Sequence, residues 1–285
     1  MGCSCGLWPA TTIELPVMKK LLVIGAGYLG DEILRRFKAA GWDATGASLS
    51  GGENLITCDV SDAESVAALP DVDAVIHCAA SGRGGEDAYR KVYLNGCENL
   101  VHRFPHAKIA FTSSSSVYAQ QNGELVTEKS ETIPDRETGR LLLAAEECVL
   151  KAGGVVARLA GIYGPGRSVL LGKFKSGEAV IEEDGRRFIN QIHRDDAAGA
   201  LLHLFSLTDF PAGEIFNVCD SESLTQLEVY RGLAEIFGKE LPPSGPRDLN
   251  RKRGWTHKRV SNAKLIATGW QPKYPSFLDA VESLS

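Results

Sequence analysis

No stretch of this chain approaches the length of an apolar membrane span, so it reads as a protein with no membrane partner. Its seven cysteines include no C-x-x-C pair. An odd, scattered set suits reduced thiols in a cytoplasmic protein better than a disulfide framework. H-E-x-x-H and paired-cysteine spacings are missing, so a metal site is not expected. No G-x-S-x-G elbow accompanies the serine run at 113–116, so a hydrolase triad is not expected. Excess positive charge is lacking too: the net charge is −5, which argues against nucleic acid as a partner. There are no internal repeats. The first seventeen residues lack the charge and apolar core of a signal peptide, and Gly6 stands where a myristoylation signal wants Ser or Thr. They read as an N-terminal extension ahead of Met18.

What the 285 residues do contain is an ordinary enzyme composition, 44% hydrophobic and 24% charged. Its most informative segment is Leu21-Leu22-Val23-Ile24 followed by Gly25-Ala26-Gly27-Tyr28-Leu29-Gly30. A short apolar run ending in G-x-G-x-x-G and leading into helical spacing (Ile33, Leu34, Phe37) is the strand–loop–helix order of a dinucleotide site. Gly25 would make the tight turn, Gly27 would let backbone approach a pyrophosphate, and Gly30 would let helix pack on strand. The phosphates would sit at the helix N-terminus.

Further strands are predicted over Trp42–Ala47, Leu55–Cys58, Asp73–Cys78, Lys108–Thr112, Val155–Leu159 and Glu214–Val218. Helices are predicted over Ala63–Leu69, Glu86–Arg103, Gly139–Ala152, Asp195–Ser206 and Thr225–Phe237. That alternation implies an α/β fold, a doubly wound parallel sheet of Rossmann type, with a smaller C-terminal substrate lobe. The expected nucleotide domain takes residues 18–165 and about 193–220; the lobe takes about 166–192 and 221–285. Residues 239–259, rich in Pro, Arg and Lys, read as irregular.

Several motifs in order carry a resemblance from Met18 almost to the C-terminus. Besides the glycine loop they are Cys58-Asp59-Val60, Ile76-His77-Cys78-Ala79-Ala80, Ser113–Ser116 with Val117-Tyr118, Arg158 to Arg167, Ile192 to Asp196, and Lys258 to Asn262. The chain resembles the atypical and extended short-chain dehydrogenase/reductases, the superfamily of NAD-dependent epimerases and dehydratases. The resemblance implies an oxidoreductase or epimerase-like enzyme acting on a small carbonyl, alcohol or sugar-nucleotide-like substrate. Asp59 and Val60 would flank the adenine, Ala79 and Ala80 the cofactor near its ribose, and Ser114 would hold the substrate oxygen, with Ser115 beside it. In many relatives two helices pair into a dimer; here Glu86–Arg103 and Gly139–Ala152 would supply that bundle.

The pattern departs from the family at its acid. The Y-x-x-x-K signature falls on Thr138-Gly139-Arg140-Leu141-Leu142, so Thr138 replaces Tyr and Leu142 replaces Lys. A threonine hydroxyl is far too weak an acid to copy an activated phenol. Tyr163 and Tyr118 are the candidate substitutes, Tyr163 being set by the resemblance near the nicotinamide end, where it would act as the acid or merely cap the cofactor. Tyr93 stands where relatives carry Asn; it either enters the pocket or packs on the sheet. His193 with Asp195 or Asp196 reads as a helix start, and His77 as a core residue. With neither acid nor Arg at Ser48-Leu49-Ser50, the end of the second strand repels no 2′-phosphate, so NADP is slightly favoured over NAD. Arg167, Arg186, Arg187, Arg253 and Arg259, with their basic neighbours from 247 on, suggest an anionic substrate. Without the usual acid, a non-catalytic NAD(P)-binding sensor or regulatory protein is the competing reading.

Overall fold

The computed structural model describes residues 18–82, 84–247 and 255–284; the expected extension at 1–17 lies outside them. Seven strands form the central sheet: β1 (Lys20–Ile24), β2 (Asp43–Ser48), β3 (Leu55–Thr57), β4 (Ala74–His77), β5 (Lys108–Ser114), β6 (Val155–Leu159) and β7 (Ile215–Val218). Their spatial order is β7-β6-β5-β4-β1-β2-β3, with every neighbouring pair parallel. The apolar runs follow from this. Helices cover both faces, so Leu21, Leu22 and Val23 of β1 and Val155, Val156 and Ala157 of β6 are all fully buried.

Helix α1 (Gly30–Ala39) covers one face of the sheet together with the later helix Arg194–Ser206. Between them Phe37 meets Phe205 edge to face at 5.7 Å. A short helix, α2 (Ala63–Ala67), is capped by Asp62, whose side chain accepts from the Glu64 N–H. On the other face lie α3 (Glu86–Arg103) and α4 (Glu137–Lys151). The single helix expected over Glu86–Arg103 is composite. Its α-helical ends, Glu86–Tyr89 and Gly96–Arg103, flank a π-helical segment, Arg90–Asn95. Widening to i→i+5 bonding leaves no mark in hydrophobic periodicity. His77 sits beside it: its Nε2 lies 2.9 Å from the Val92 carbonyl, to which only a protonated nitrogen can donate. Burial drives that imidazole down to about 4, so it stays neutral.

A buried polar network ties α4 to the sheet. Arg158 on β6 donates to both carboxylate oxygens of Glu146, with Nη2 to Oε2 at 2.6 Å, and Ser113 Oγ donates to the same carboxylate at 2.5 Å. Arg158 also donates to Tyr118 Oη, which donates in turn to Asn217 Oδ1 at 2.8 Å. Each buried charge thus has its partner, the condition under which such a pair is tolerated.

The buried apolar side chains fall into two clusters. A large one surrounds the sheet and includes Val260, Leu265 and Trp270 from near the C-terminus. The smaller is built from Leu171 and Phe174 of α5 (Val169–Ser176), Val229, Tyr230 and Leu233 of the helix Gln226–Phe237, Phe277 and Val281, and it includes Tyr163.

Candidate functional site

The glycine loop is built by close approach. Gly25 has φ +99°, and a Cβ there would stand 2.3 Å from the Ala79 backbone nitrogen. A Cβ on Gly30 would stand 2.3 Å from the Gly25 carbonyl oxygen, so helix and strand touch through that absent side chain. Gly27 is different: a Cβ there would meet nothing nearer than 4.0 Å, leaving its backbone open. The residue before α1 is Leu29, which provides no side-chain cap. The Asp31 N–H is taken by the Gly27 carbonyl at 2.8 Å; the other first-turn N–H groups and the positive end of the α1 dipole can serve an anion.

This loop forms one wall of a cavity of about 490 Å³ at the carboxyl ends of β1, β2, β4, β5 and β6. It spans the crevice between β1 and β4, where the strand order reverses, the usual ligand position in such sheets. Gly25, Gly27, Tyr28 and Leu29 line it from the loop, and Gly30 packs behind. Ser48 lines it from β2, its Oγ donating to the Gly51 carbonyl at 3.1 Å. Asp59 and Val60 lie on the same wall, and Ser61 fixes the Asp59 carboxylate through its N–H at 2.9 Å and Oγ at 2.7 Å. Ala79, Ala80 and Ser114 complete the predicted set. Ser114 Oγ accepts the Ser116 N–H at 3.2 Å. Arg167 lines the cavity as well, its guanidinium 5.2 Å from the Tyr28 ring centre, with Arg194 at the same distance. Tyr28 Oη donates to the Pro165 carbonyl, tying the glycine loop to the turn after β6.

A second cavity, of about 870 Å³, adjoins the first. Ser116, Thr138, Arg136, Arg247 and Trp255 line it, and Tyr89 and Leu142 line both cavities. The two positions where the resemblance sets Tyr and Lys, Thr138 and Leu142, thus face the cleft, Leu142 at the boundary. Tyr93 lines the first cavity, and its Oη accepts the Ser81 N–H at 3.2 Å.

Other predicted residues lie elsewhere. Tyr163 lines neither cavity: its ring is 1% exposed in the smaller core, packed on His193 and Phe277, with Oη 3.4 Å from Asp220 Oδ2. Burial, then the Asp220 and Asp196 charges, pushes its phenol far up. Tyr118 has its hydroxyl committed to Arg158 and Asn217. His193 caps a helix, its Nδ1 accepting the Asp195 N–H, while Asp196 accepts from the Lys273 and Tyr274 N–H groups. Ser115 is buried and lines neither cavity.

The basic residues do not form one anion site. Arg186 pairs with Asp184, and Arg187 lies 3.3 Å from Glu182. Arg259 donates to the Gly123 carbonyl and stacks over Phe188. Lys258 is buried, donating to the Tyr118 carbonyl. Arg253 lies outside the described residues. Among the described basic residues from 247 to 259, Arg247 alone reaches the larger cavity, stacked 3.7 Å over Trp255 and paired with Glu183. Tyr89 was missed from the sequence, although its spacing of four from Tyr93 puts the two on one helix face.

Among the described residues no helix is long and apolar enough to cross a membrane, and no group of three or more potential metal ligands occurs. The sequence pattern of the NAD dependent epimerase/dehydratase family matches residues 21–219. Protein YeeZ of Escherichia coli K12 is 30% identical over 284 residues, covering 90% of this chain and 97% of that protein. UDP-glucose 4-epimerase of Azospirillum brasilense is 26% identical over 306 residues, covering 89% and 87%. In fold the chain is similar to UDP-glucuronic acid 4-epimerase from Bacillus cereus, solved with UDP-glucuronic acid and NAD. The TM-score is 0.77 at 20% identity, over 93% of this chain and 97% of that one. With the glycine loop, the seven-stranded sheet and a pattern spanning more than half its length, the chain belongs to the NAD-dependent epimerase/dehydratase family.

Proposed function

We propose that the protein is an NAD(P)-dependent oxidoreductase of epimerase type, acting on a small carbonyl or alcohol, with sugar nucleotides as the leading substrate class. One observation carries this reading: a cleft of about 870 Å³ adjoins the glycine-loop cavity and shares Tyr89 and Leu142 with it. A dinucleotide in the first would have its reactive end beside a compartment large enough for a substrate. A protein that only sensed the cofactor would need no such compartment.

Gly25, Gly27 and the uncapped start of α1 would hold the pyrophosphate, Asp59 and Val60 the adenine, and Ala79 and Ala80 the adjoining ribose. The cofactor supplies or accepts a hydride when bound. Ser114 Oγ would donate to the substrate oxygen and orient it, while the apolar Leu142 leaves the boundary without the cation that relatives use there. Lacking an acid at the end of β2, the site accepts a 2′-phosphate, with Ser48 and Ser50 nearby, and NADP is favoured. Anionic substrate groups would meet Arg247 in the larger cavity and Arg167 in the smaller.

Calorimetric titration with NADPH and with NADH tests the site first: one-site binding of either is expected, NADPH the tighter, and binding of neither would overturn the proposal. Incubation with UDP-glucose and bound NAD follows, read by absorbance of the reduced nicotinamide. Cofactor binding with turnover only in Thr138→Tyr/Leu142→Lys would assign the native chain to the sensor class instead.

A further inference from the structure

We infer that Tyr89 passes the proton at this site, a role that rests on the reading of the glycine-loop cavity as a dinucleotide site. The chain has seven tyrosines. Tyr118 is buried and borders the larger cavity alone, Tyr163 is buried and lines neither, and Tyr28 lines the smaller alone. Tyr230 is buried in the smaller core, and Tyr274 packs on His193 outside both cavities. Tyr93 lines the smaller cavity alone. Tyr89 is thus the one phenol that lines both cavities, at the boundary where cofactor and substrate would meet and which Leu142 also lines.

The local backbone supports this placement. Tyr89 is the last residue before the π-helical segment Arg90–Asn95, a wide turn of a kind frequent at functional sites. Its ring packs edge to face on Tyr93 at 4.9 Å, and Tyr93 is itself pinned by the Ser81 N–H. Arg90 approaches Glu137 of α4 at 3.7 Å, bridging the helices on either side of the cleft. Among the described residues, Glu86 and Arg90 on its own helix, Asp135, Arg136, Glu137 and Arg140 at and just before the start of α4, and Arg247 are the charges around the cleft.

In the reducing direction the hydride adds to the carbonyl carbon, and the Tyr89 phenol gives its proton to the oxygen, leaving an alcohol and a phenolate. Water in the open cleft then returns a proton to Tyr89 Oη. Oxidation runs the same transfers backwards.

The test is an NMR titration of the full chain labelled with 13C at the tyrosine Cζ, without cofactor, with NADH and with NAD. The Tyr89 resonance is identified by its loss in Tyr89→Phe. A phenol beside the oxidised, positively charged ring should titrate about one pH unit lower with NAD than with NADH. The shift should survive in Tyr93→Phe, and Tyr89→Phe should melt as the wild type does and bind NAD within about threefold by calorimetry. An unmoved Tyr89 in protein that calorimetry shows to be loaded would overturn the assignment alone. A shift confined to the Tyr93 resonance would overturn it in favour of Tyr93. Where only NADP binds, the same titration is made with NADPH and NADP; failure of both NAD and NADP to bind would overturn the dinucleotide site and Tyr89's role with it.

Discussion

Two glycines of one loop should respond to the same added methyl in opposite ways. At Gly27 a Cβ has at least 4.0 Å of room and meets open cavity, so Gly27→Ala should fold as the wild type does. Its unfolding free energy should change by less than about 1 kcal/mol. The methyl occupies the space through which a pyrophosphate would approach the backbone, and forced overpacking of that kind costs about 1–3 kcal/mol. Cofactor affinity should therefore fall roughly 5–150-fold. At Gly30 the methyl lands 2.3 Å from the Gly25 carbonyl oxygen, and backbone must move. Gly30→Ala should lose about 1–3 kcal/mol of stability before any cofactor is added, a drop of roughly 2–12 °C in Tm for a chain of this size. Thermal unfolding without cofactor and calorimetric titration with NADPH separate the two. Unchanged NADPH affinity in Gly27→Ala would refute the pyrophosphate placement, and an unchanged Tm in Gly30→Ala would refute the helix–strand contact.

Further predictions concern the frame behind the site. Glu146→Gln strands Arg158 in the core with a neutral partner and should cost about 3–5 kcal/mol in urea unfolding, as broken buried pairs do; a loss below 1 kcal/mol would show that the network does not anchor α4. Lys258 is buried and its ammonium is lowered to about 8. The unfolded chain, with a lysine near its usual 10.4, binds more protons between about pH 8 and 10, so this group adds stability as pH rises through that window. Relative to Lys258→Met, the wild type should gain on the order of 2–3 kcal/mol from pH 8 to pH 10.5; parallel stability–pH curves would refute a desolvated lysine.

The legible part of this molecule was local. All seven strands of the sheet were readable within a residue or two: the central ones because a strand buried on both faces must be apolar, and the edge pair β2 and β3, only partly buried, by their place between turns and helices. The glycine loop was readable because Gly25 and Gly30 answer contacts that no other residue permits, with Gly27 spaced between them. Orientation was not. Tyr163 ends a short strand, and nothing in Tyr-Gly-Pro says that its ring turns into the smaller core. Basic residues look alike in sequence, yet Lys258 and Arg259 differ because their acceptors, the Tyr118 and Gly123 carbonyls, come from a distant segment. Helix α5 escaped because its two core residues, Leu171 and Phe174, are too few to set a period.

The wide turn in α3 divides one helix into two angular frames. Downstream, Gly96 sits so close to His77 and Val60 that a Cβ would stand 3.2 Å from each, which fixes that half against the sheet. Upstream, the half bearing Tyr89 is offset by the extra residue, about 100° of rotation relative to an unbroken α-helix. Loss or gain of a single codon within 90–95 would thus turn a different side chain toward the cleft while the seat on the sheet stayed put. Substitution at fixed length cannot make that change, so the length of one helical turn decides which side chain meets the cleft.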